Sequence, residues 1–285
     1  MSTALYKGRK FCKGKFLPVE DALAVEELLK ITINGSPYTI TMRTPGSEEE
    51  LVRGLLFSEN VYTDLQFNPV ISIKEKNNSG FIKWIDVVIP LDKIGKGFES
   101  VRNIMSVSSC GICGKTDLDE IAGQEQKIIQ TEKLKPETVD KMFEQMNSNQ
   151  NTFKASGGSH GCAVFTLEGE LLAIQEDIGR HNAVDKAIGC LILEKKLRKA
   201  RCMTVSGRIS YEIVTKCFSA DIPFLSAVSA PSSLAVDLAE QLGITLMAFC
   251  RDNKFTAYSR IDNIEFQSDH EKEFNQHRLI SDGKS

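Results

Sequence analysis

The stretch "CMTVSGRISYEIVTKCFSADIPFLSAVSAPSSLAVDLAEQLGITLMAFC", residues 202–250, decides the fold. "CMTVS", "FLSAVS" and "ITLMAFC" are short apolar runs that read as strands, and "YEIVTKCFSA" and "SLAVDLAEQLG" between them read as helices, the second closed by Gly243. Short apolar strands alternating with helices indicate an α/β layer whose mostly parallel sheet is buried on both faces. Upstream, "NAVDKAIGCLILEKKL" continues the pattern as an amphipathic helix with Val184, Ile188 and Leu191 on one face, "CAVFTLEGELLAIQED" is a hairpin turning at Glu168-Gly169, and "PETVDKMFEQM" is helical.

Before this core lies a smaller α+β unit. "ITINGSPYTITMRTP" reads as a hairpin around Asn34-Gly35, and "VISIKEKNNSGFIKWIDVVIP" as a second, turning between Asn77 and Gly80. Between them Ser47 and Glu50 have capping-box spacing, opening a helix whose apolar face is Leu51, Leu55, Leu56 and Phe57. The expected division is a small N-terminal α+β domain at 18–105, a mobile CxxC loop or linker at 106–131, an α/β core at 132–262 and a polar tail at 263–285, with the first ten residues loose.

The chain has 285 residues, 41% hydrophobic and 26% charged, with a net charge of −3, as expected of an ordinary soluble protein. That balance favours neither nucleic acid nor membrane as a partner. No apolar run reaches the length of a membrane span and no signal-peptide core follows Met1, so a cytoplasmic location is expected.

Of eight cysteines, Cys12, Cys162, Cys190, Cys202, Cys217 and Cys250 are scattered singly, and packing is the expected role of that set. Cys110 and Cys113 form a CxxC within "SVSSCGICGK", residues 106–115. A structural zinc site needs four ligands, and only His160 and His181 offer to complete one; no second CxxC exists. Zinc deaminases need an H-x-E glutamate that neither histidine supplies. A thioredoxin-like pair should precede an amphipathic helix, which is lacking here. Sulfur carriage requires an exposed thiolate beside backbone amides and positive charge; the small residues and Lys115 permit it.

A second group of residues sits at strand ends. Asp177, Gly179, Arg180 and His181 precede one predicted helix, Ser206, Gly207, Arg208 and Ser210 the next, and Ser229, Pro231, Ser232 and Ser233 the third. Arg251 and Lys254 follow the last strand, and "ASGGSHG", residues 155–161, carries His160. Ligands of open α/β sheets bind beyond the carboxyl ends of strands, where helix N-termini and arginines favour phosphate. Each motif alone also reads as a helix cap or a solvated side chain. Together they point to a large phosphate-bearing ligand, while the absence of a P-loop and of G-x-G-x-x-G speaks against ATP hydrolysis and hydride transfer.

"SSCGICGK", "SGGSHG", "EDIGRHNAVDK", "SGRISYEIVTK", "SAPSSLAVDLAEQLGITL" and the upstream "MRTPGSEEELVRGLLFSEN" together resemble the FdhD/NarQ family of formate dehydrogenase accessory sulfurtransferases, in order from about residue 30 to 260. The resemblance implies an α/β fold with a cytidine-deaminase-like three-layer core, its sheet mixed but mostly parallel, without the zinc site and with no permanent metal. It implies a sulfur carrier that accepts persulfide sulfur from a cysteine desulfurase. The sulfur would pass to the molybdenum cofactor in its bis-molybdopterin guanine dinucleotide form, destined for formate dehydrogenase. Cys110 and Cys113 match the family's CxxC, with the persulfide on Cys110, and Phe249, Cys250, Arg251, Asp252, Asn253 and Lys254 match its cofactor-binding stretch. Family members look like homodimers. Cys162 and Cys250 depart from the expected pattern and would add thiols able to confuse labelling. The alternative is a cofactor-binding chaperone without sulfur chemistry; a metal-dependent hydrolase is the third reading.

Overall fold

The structure, a computed structural model, describes residues 2–98 and 127–265. Three β-structures organise it. The first is a two-stranded antiparallel ribbon of β1 (Thr3–Cys12) and β2 (Lys15–Ala24), turning through Lys13 and Gly14, both at positive φ. The N-terminal residues are therefore not loose: ten residue pairs zip from Thr3↔Ala24 to Cys12↔Lys15. The turn goes unrecognised in the sequence because lysine at positive φ is not a turn signal. The ribbon leaves Leu5, Tyr6, Phe11, Phe16, Leu17 and Leu23 exposed.

The second is a four-stranded sheet in the order β4-β3-β6-β5, from β3 (Glu27–Ile33), β4 (Ser36–Arg43), β5 (Val70–Lys76) and β6 (Ile82–Val88). Asn34 and Gly35, both at positive φ, form the expected turn between β3 and β4. Helix α1 (Glu48–Ser58) covers one face, burying Leu51, Leu56 and Val52 against Leu29, Ile31, Ile85 and Val87. The capping box does not form. Ser47 sits in the left-handed region with no side-chain cap, and Glu48, not Glu50, turns back to accept from Gly46 N–H at 2.9 Å and to pair with Arg43 at 2.9 Å.

The third is the core sheet, ordered β12-β11-β10-β9-β7-β8, from β7 (His160–Phe165), β8 (Leu171–Asp177), β9 (Cys202–Val205), β10 (Phe224–Ala227), β11 (Thr245–Arg251) and β12 (Lys254–Ala257). It is mixed, as expected, but not mostly parallel. Only β9–β10 and β10–β11 run parallel; β7 is antiparallel to both its neighbours, as β12 is to β11. The short turns at Glu168-Gly169 and Asp252-Asn253 force this, since a parallel connection needs a long crossover. Strand alternation builds two cores. Cys162, Val164, Met203, Val205, Leu225 and Leu246 pack on α4 (Arg180–Leu193), α5 (Tyr211–Ser219) and α6 (Ser233–Leu242). Ala163, Phe165, Phe224 and Met247 face α2 (Pro136–Asn149), which is followed by the short α3 (Asn151–Ser156). Ile264, assigned from sequence to a tail, is buried beside Leu134 in this second core. No described helix is long and apolar enough to cross a membrane.

The two units meet where α1 crosses α4. A Cβ on Gly54 would collide with the Asp185 carbonyl, and one on Gly189 with the Glu50 carbonyl, so the helix backbones touch directly. Lys216 of α5 closes the junction, bonding Asp185 at 2.8 Å and Glu59 at 3.2 Å. Nearby, buried Asp177 pairs with Lys186 at 2.7 Å and accepts from Thr44 N–H at 3.1 Å, while Lys186 donates to the Thr44 carbonyl at 2.8 Å. Replacing glycine by alanine in a helix interior is ordinarily favourable by about 0.5–1 kcal/mol. Here Gly54→Ala or Gly189→Ala should instead destabilise by about 3 kcal/mol, as overpacking of a rigid contact does; urea denaturation of each variant measures the sign.

Candidate anion-binding site at the sheet edge

Because β8, β9, β10 and β11 point one way and β7 the other, one sheet edge collects the end of β8, the start of β7, and the ends of β9, β10 and β11. The residues read from sequence as ligand-facing therefore fall along a single line. At the β8–α4 turn, Asp177 works structurally: besides Lys186 and Thr44 it accepts from Gly179 N–H at 2.8 Å and Asn182 Nδ2 at 3.0 Å. That network fixes the first turn of α4, where Arg180 and His181 stand. Arg180 Nε is buried and has no hydrogen-bond partner among the described residues.

His160 opens β7 beside this turn and is partly buried. Burial lowers its pKa first, and the nearby charges of Arg180 and Arg208 lower it further. The imidazole thus lies in a positive field. Gly207 follows β9 directly below: a Cβ there would stand 3.3 Å from His160 Nδ1 and 3.6 Å from Arg180 Cβ. Glycine lets the His160 ring and the Arg180 side chain pack directly over this backbone. Arg208 is exposed beside it.

Not every predicted ligand is free to bind. The Ser206 hydroxyl accepts from Gly161 N–H at 2.9 Å and ties β7 to β9. Ser229 Oγ reaches the Ser206 carbonyl at 3.5 Å. Ser232 is a helix cap, accepting from Ala235 N–H at 3.2 Å, so the ordinary reading holds for it. His181 Nε2 lies 3.3 Å from Ser210 Oγ and 3.6 Å from Glu212, and Ser210 donates to Glu212 at 2.7 Å. Bonding to His181, then to Ser210, holds the Glu212 carboxyl near a pKa of about 2. Sequence reading missed Glu212 because its partner lies 31 residues earlier on another helix.

At the far end of the edge, Phe249 to Lys254 form a hairpin tip. Arg251 pairs with Lys254 across Asp252 and Asn253, both at positive φ, and Phe249 sits in the left-handed region where the pairing register shifts. Strand alternation turns Phe249 and Arg251 outward and Cys250 inward, where burial pushes its thiol up to about 12. Cys250 therefore cannot face a ligand. A cleft of about 250 Å³ between Thr44–Ser47 and β8 is lined by Thr44 and Lys186, the partners of Asp177. Its Glu176 is already engaged by Thr152 and Phe153 N–H groups, each at 2.8 Å.

Cys110 and Cys113 lie outside the described residues. Cys162, Cys202, Cys217 and Cys250 are buried, with burial raising every thiol, while Cys190 is half-buried and pushed up to about 11 by burial and Glu194. Cys12 departs from the packing role: it is exposed beside the ribbon turn. Thiolate is the reactive form. Brief iodoacetamide treatment of the folded protein at pH 8 should alkylate Cys12 and spare Cys162, Cys202, Cys217 and Cys250 until denaturant is added; peptide mass spectrometry reads this out.

Comparison with known proteins agrees with this architecture. The model of the FdhD/NarQ family matches residues 24–265. A Mycobacterium tuberculosis protein named Sulfur carrier protein FdhD is 38% identical over 279 residues, covering 92% of this chain and 99% of that protein. A Sulfolobus acidocaldarius protein of the same name is 41% identical over 247 residues, covering 86% and 92%. A crystal structure of a candidate formate dehydrogenase accessory protein from Desulfotalea psychrophila, 22% identical, superposes with a TM-score of 0.72 over 93% of this chain and 100% of that one, and so shares the fold. With nearly the whole described chain matched, from the last residue of β2 to Glu265, the protein belongs to the FdhD/NarQ family.

Proposed function

We propose that this protein is a sulfur carrier serving formate dehydrogenase, with Cys110 as the carrying thiol and the sheet edge as the seat of the receiving cofactor. The observation that carries the reading is the convergence of Arg180, His160, Gly207 and Arg208 on one edge, with Arg251 and Lys254 on the hairpin at its end. Guanine dinucleotide arms are diphosphates, and arginine pairs with such oxygens bidentately. The names of the curated relatives support the carrier role. Burial withdraws Cys162, Cys202, Cys217 and Cys250, and the assignment of persulfide chemistry to the CxxC rather than to exposed Cys12 follows the family resemblance.

Loading is a thiolate exchange. The Cys110 thiolate attacks the outer sulfur of a desulfurase persulfide; the donor's S–S bond breaks, a new one forms to Cys110, and the donor cysteine leaves as thiolate. Cys113 provides a second thiol for relay. The molybdenum cofactor in its bis-guanine-dinucleotide form is then the substrate that receives the sulfur, its anionic arms held along the sheet edge. In this reading Arg180 and Arg208 neutralise a diphosphate, while Asp177 and Glu212 hold the α4 turn and His181 in place. Ser206, Ser229 and Ser232 shape the strand-to-helix turns. The three layers of the core support the expected likeness to cytidine deaminases, and the exposed apolar ribbon supports a homodimer. The protein works in the cytoplasm on this reading.

Two experiments test it. Incubation with a cysteine desulfurase and isotopically labelled cysteine should add one reductant-labile labelled sulfur to the Cys110–Cys113 peptide, and Cys110→Ser should abolish the gain. A Cys110→Ser protein that still matures formate dehydrogenase fully would instead support a chaperone. Second, guanosine diphosphate, the fragment each cofactor arm contains, should bind the full chain in calorimetry. Arg180→Gln and Arg208→Gln should each weaken it about 10-fold or more, the size of a lost charge-assisted hydrogen bond, and the remaining affinity should depend less on salt.

A further inference from the structure

We infer that the N-terminal ribbon is an exchange arm: in a dimer of this chain, each arm lies between the partner's arm and the α2–α3 face of the partner's body. The inference rests on the homodimer reading above and names the surfaces that would make it.

A two-stranded ribbon is marginally stable in water unless a third strand or another surface packs on it. Here every residue from Leu5 to Pro18 is exposed. Only the base is fastened, by Val25 N–H donating to the Ser2 carbonyl at 2.8 Å and the Thr152 hydroxyl of α3 donating to Ser2 Oγ at 3.0 Å. The paired strands carry the tip about 30 Å from that base. At the tip the Phe11 and Phe16 ring centroids lie 5.2 Å apart, yet the two residues remain 63% and 66% exposed. Strand alternation puts Leu5, Phe11 and Phe16 on one face of the ribbon and Tyr6, Leu17 and Leu23 on the other. A flat surface such as a bilayer would cover one face and leave the other wet. An arm held between two surfaces buries both.

Charge selects a second copy as the partner. Five of the 35 basic residues but only two of the 38 acidic ones lie in the ribbon, so it carries +3 on a chain of −3 and the remainder carries −6. Within the ribbon, Arg9, Lys10, Lys13 and Lys15 stand in the half nearer the tip, and Glu20 and Asp21 in the half nearer the base. Two arms crossing antiparallel about a two-fold axis therefore set each basic tip against the partner's acidic base. That base adjoins α3, which directly follows α2. The outward face of α2 carries Glu137, Asp140 and Glu144 at helical spacing, and no ion pair engages them among the described residues. Burial, then Glu144 and Glu137, raises the Asp140 pKa, as expected of acids without a counter-charge. Phe153, next to Thr152 on α3, is exposed as well. A basic, aromatic tip thus meets an acidic helix face with an exposed ring near it.

The test is sedimentation equilibrium of the full chain. The wild-type protein should form a dimer that weakens as salt rises. Lys10→Glu with Lys13→Glu, and separately Glu137→Lys with Glu144→Lys, should each raise the dimer dissociation constant about 10-fold or more, because each sets like charges in contact. Mixed in equal amounts, the two altered proteins should form a heterodimer of wild-type affinity, since opposite charges then meet at both reciprocal contacts. A dimer that keeps its affinity in the arm variant overturns the inference and leaves the homodimer reading standing. Weakened dimers that do not recover on mixing, in variants with native circular dichroism, overturn it as well. A wild-type monomer at every concentration overturns both, and binding of that monomer to phosphatidylserine vesicles through the arm would assign the ribbon to a lipid surface instead.

Discussion

The contact between α1 and α4 is the constraint on which the rest of the structure depends. Two helices from different units meet backbone to backbone because each carries a glycine at the crossing, Gly54 and Gly189. Such an approach leaves no tolerance for rotation, since any side chain there would meet a carbonyl oxygen. The rigidity passes to function through α4, which begins at Arg180 and whose N-terminal turn is fastened to Thr44 of the N-terminal unit through Asp177 and Lys186. The small unit thus acts as a brace that fixes the orientation of the first turn of α4.

Charge is handled differently at the junction and at the edge. At the junction Lys216 has Asp185 and Glu59, Lys186 has Asp177, and Arg43 has Glu48 while keeping Nε and Nη1 without a described partner. Removing one member of such a pair would strand the other, so these pairs hold the units in one arrangement. At the edge the compensation is left incomplete. Arg180 keeps a buried Nε without a described partner, Arg208 is exposed, and burial, then the arginines beside it, lowers the pKa of His160. A concentration of uncompensated positive charge beside well-compensated ion pairs is what an anion-binding site requires.

Strand alternation does a second task beyond packing. It sends Cys162 into one core and Cys202 and Cys250 into the other, so thiols whose sequence neighbours look reactive are withdrawn from solvent. Cys250 lies between Phe249 and Arg251, yet only those neighbours face outward. The two departures from the family pattern are thereby neutralised by burial rather than by chemistry.

Much of this was legible in the chain itself. Apolar runs separated by helical periods announced β9, α5, β10, α6 and β11, and turn residues at Asn34-Gly35 and Glu168-Gly169 announced hairpins, because those signals are local. The small and basic residues at Arg180, Gly207 and Arg208 were recognisable for the same reason: a strand end followed by a helix start is read within a dozen residues. What only the tertiary structure decided is non-local. The antiparallel setting of β7, which brings His160 to the same edge as Arg180 and Gly207, depends on pairing between residues such as Cys162 and Val205 that lie far apart in the chain. Ser232 and Ser206 became a cap and a strand tie, and Glu212 joined His181, through contacts that no spacing rule contains. The residue types determined where basic and small side chains follow strand ends; packing determined which of them stand together, because the direction of a side chain is fixed by the elements pressed against its backbone.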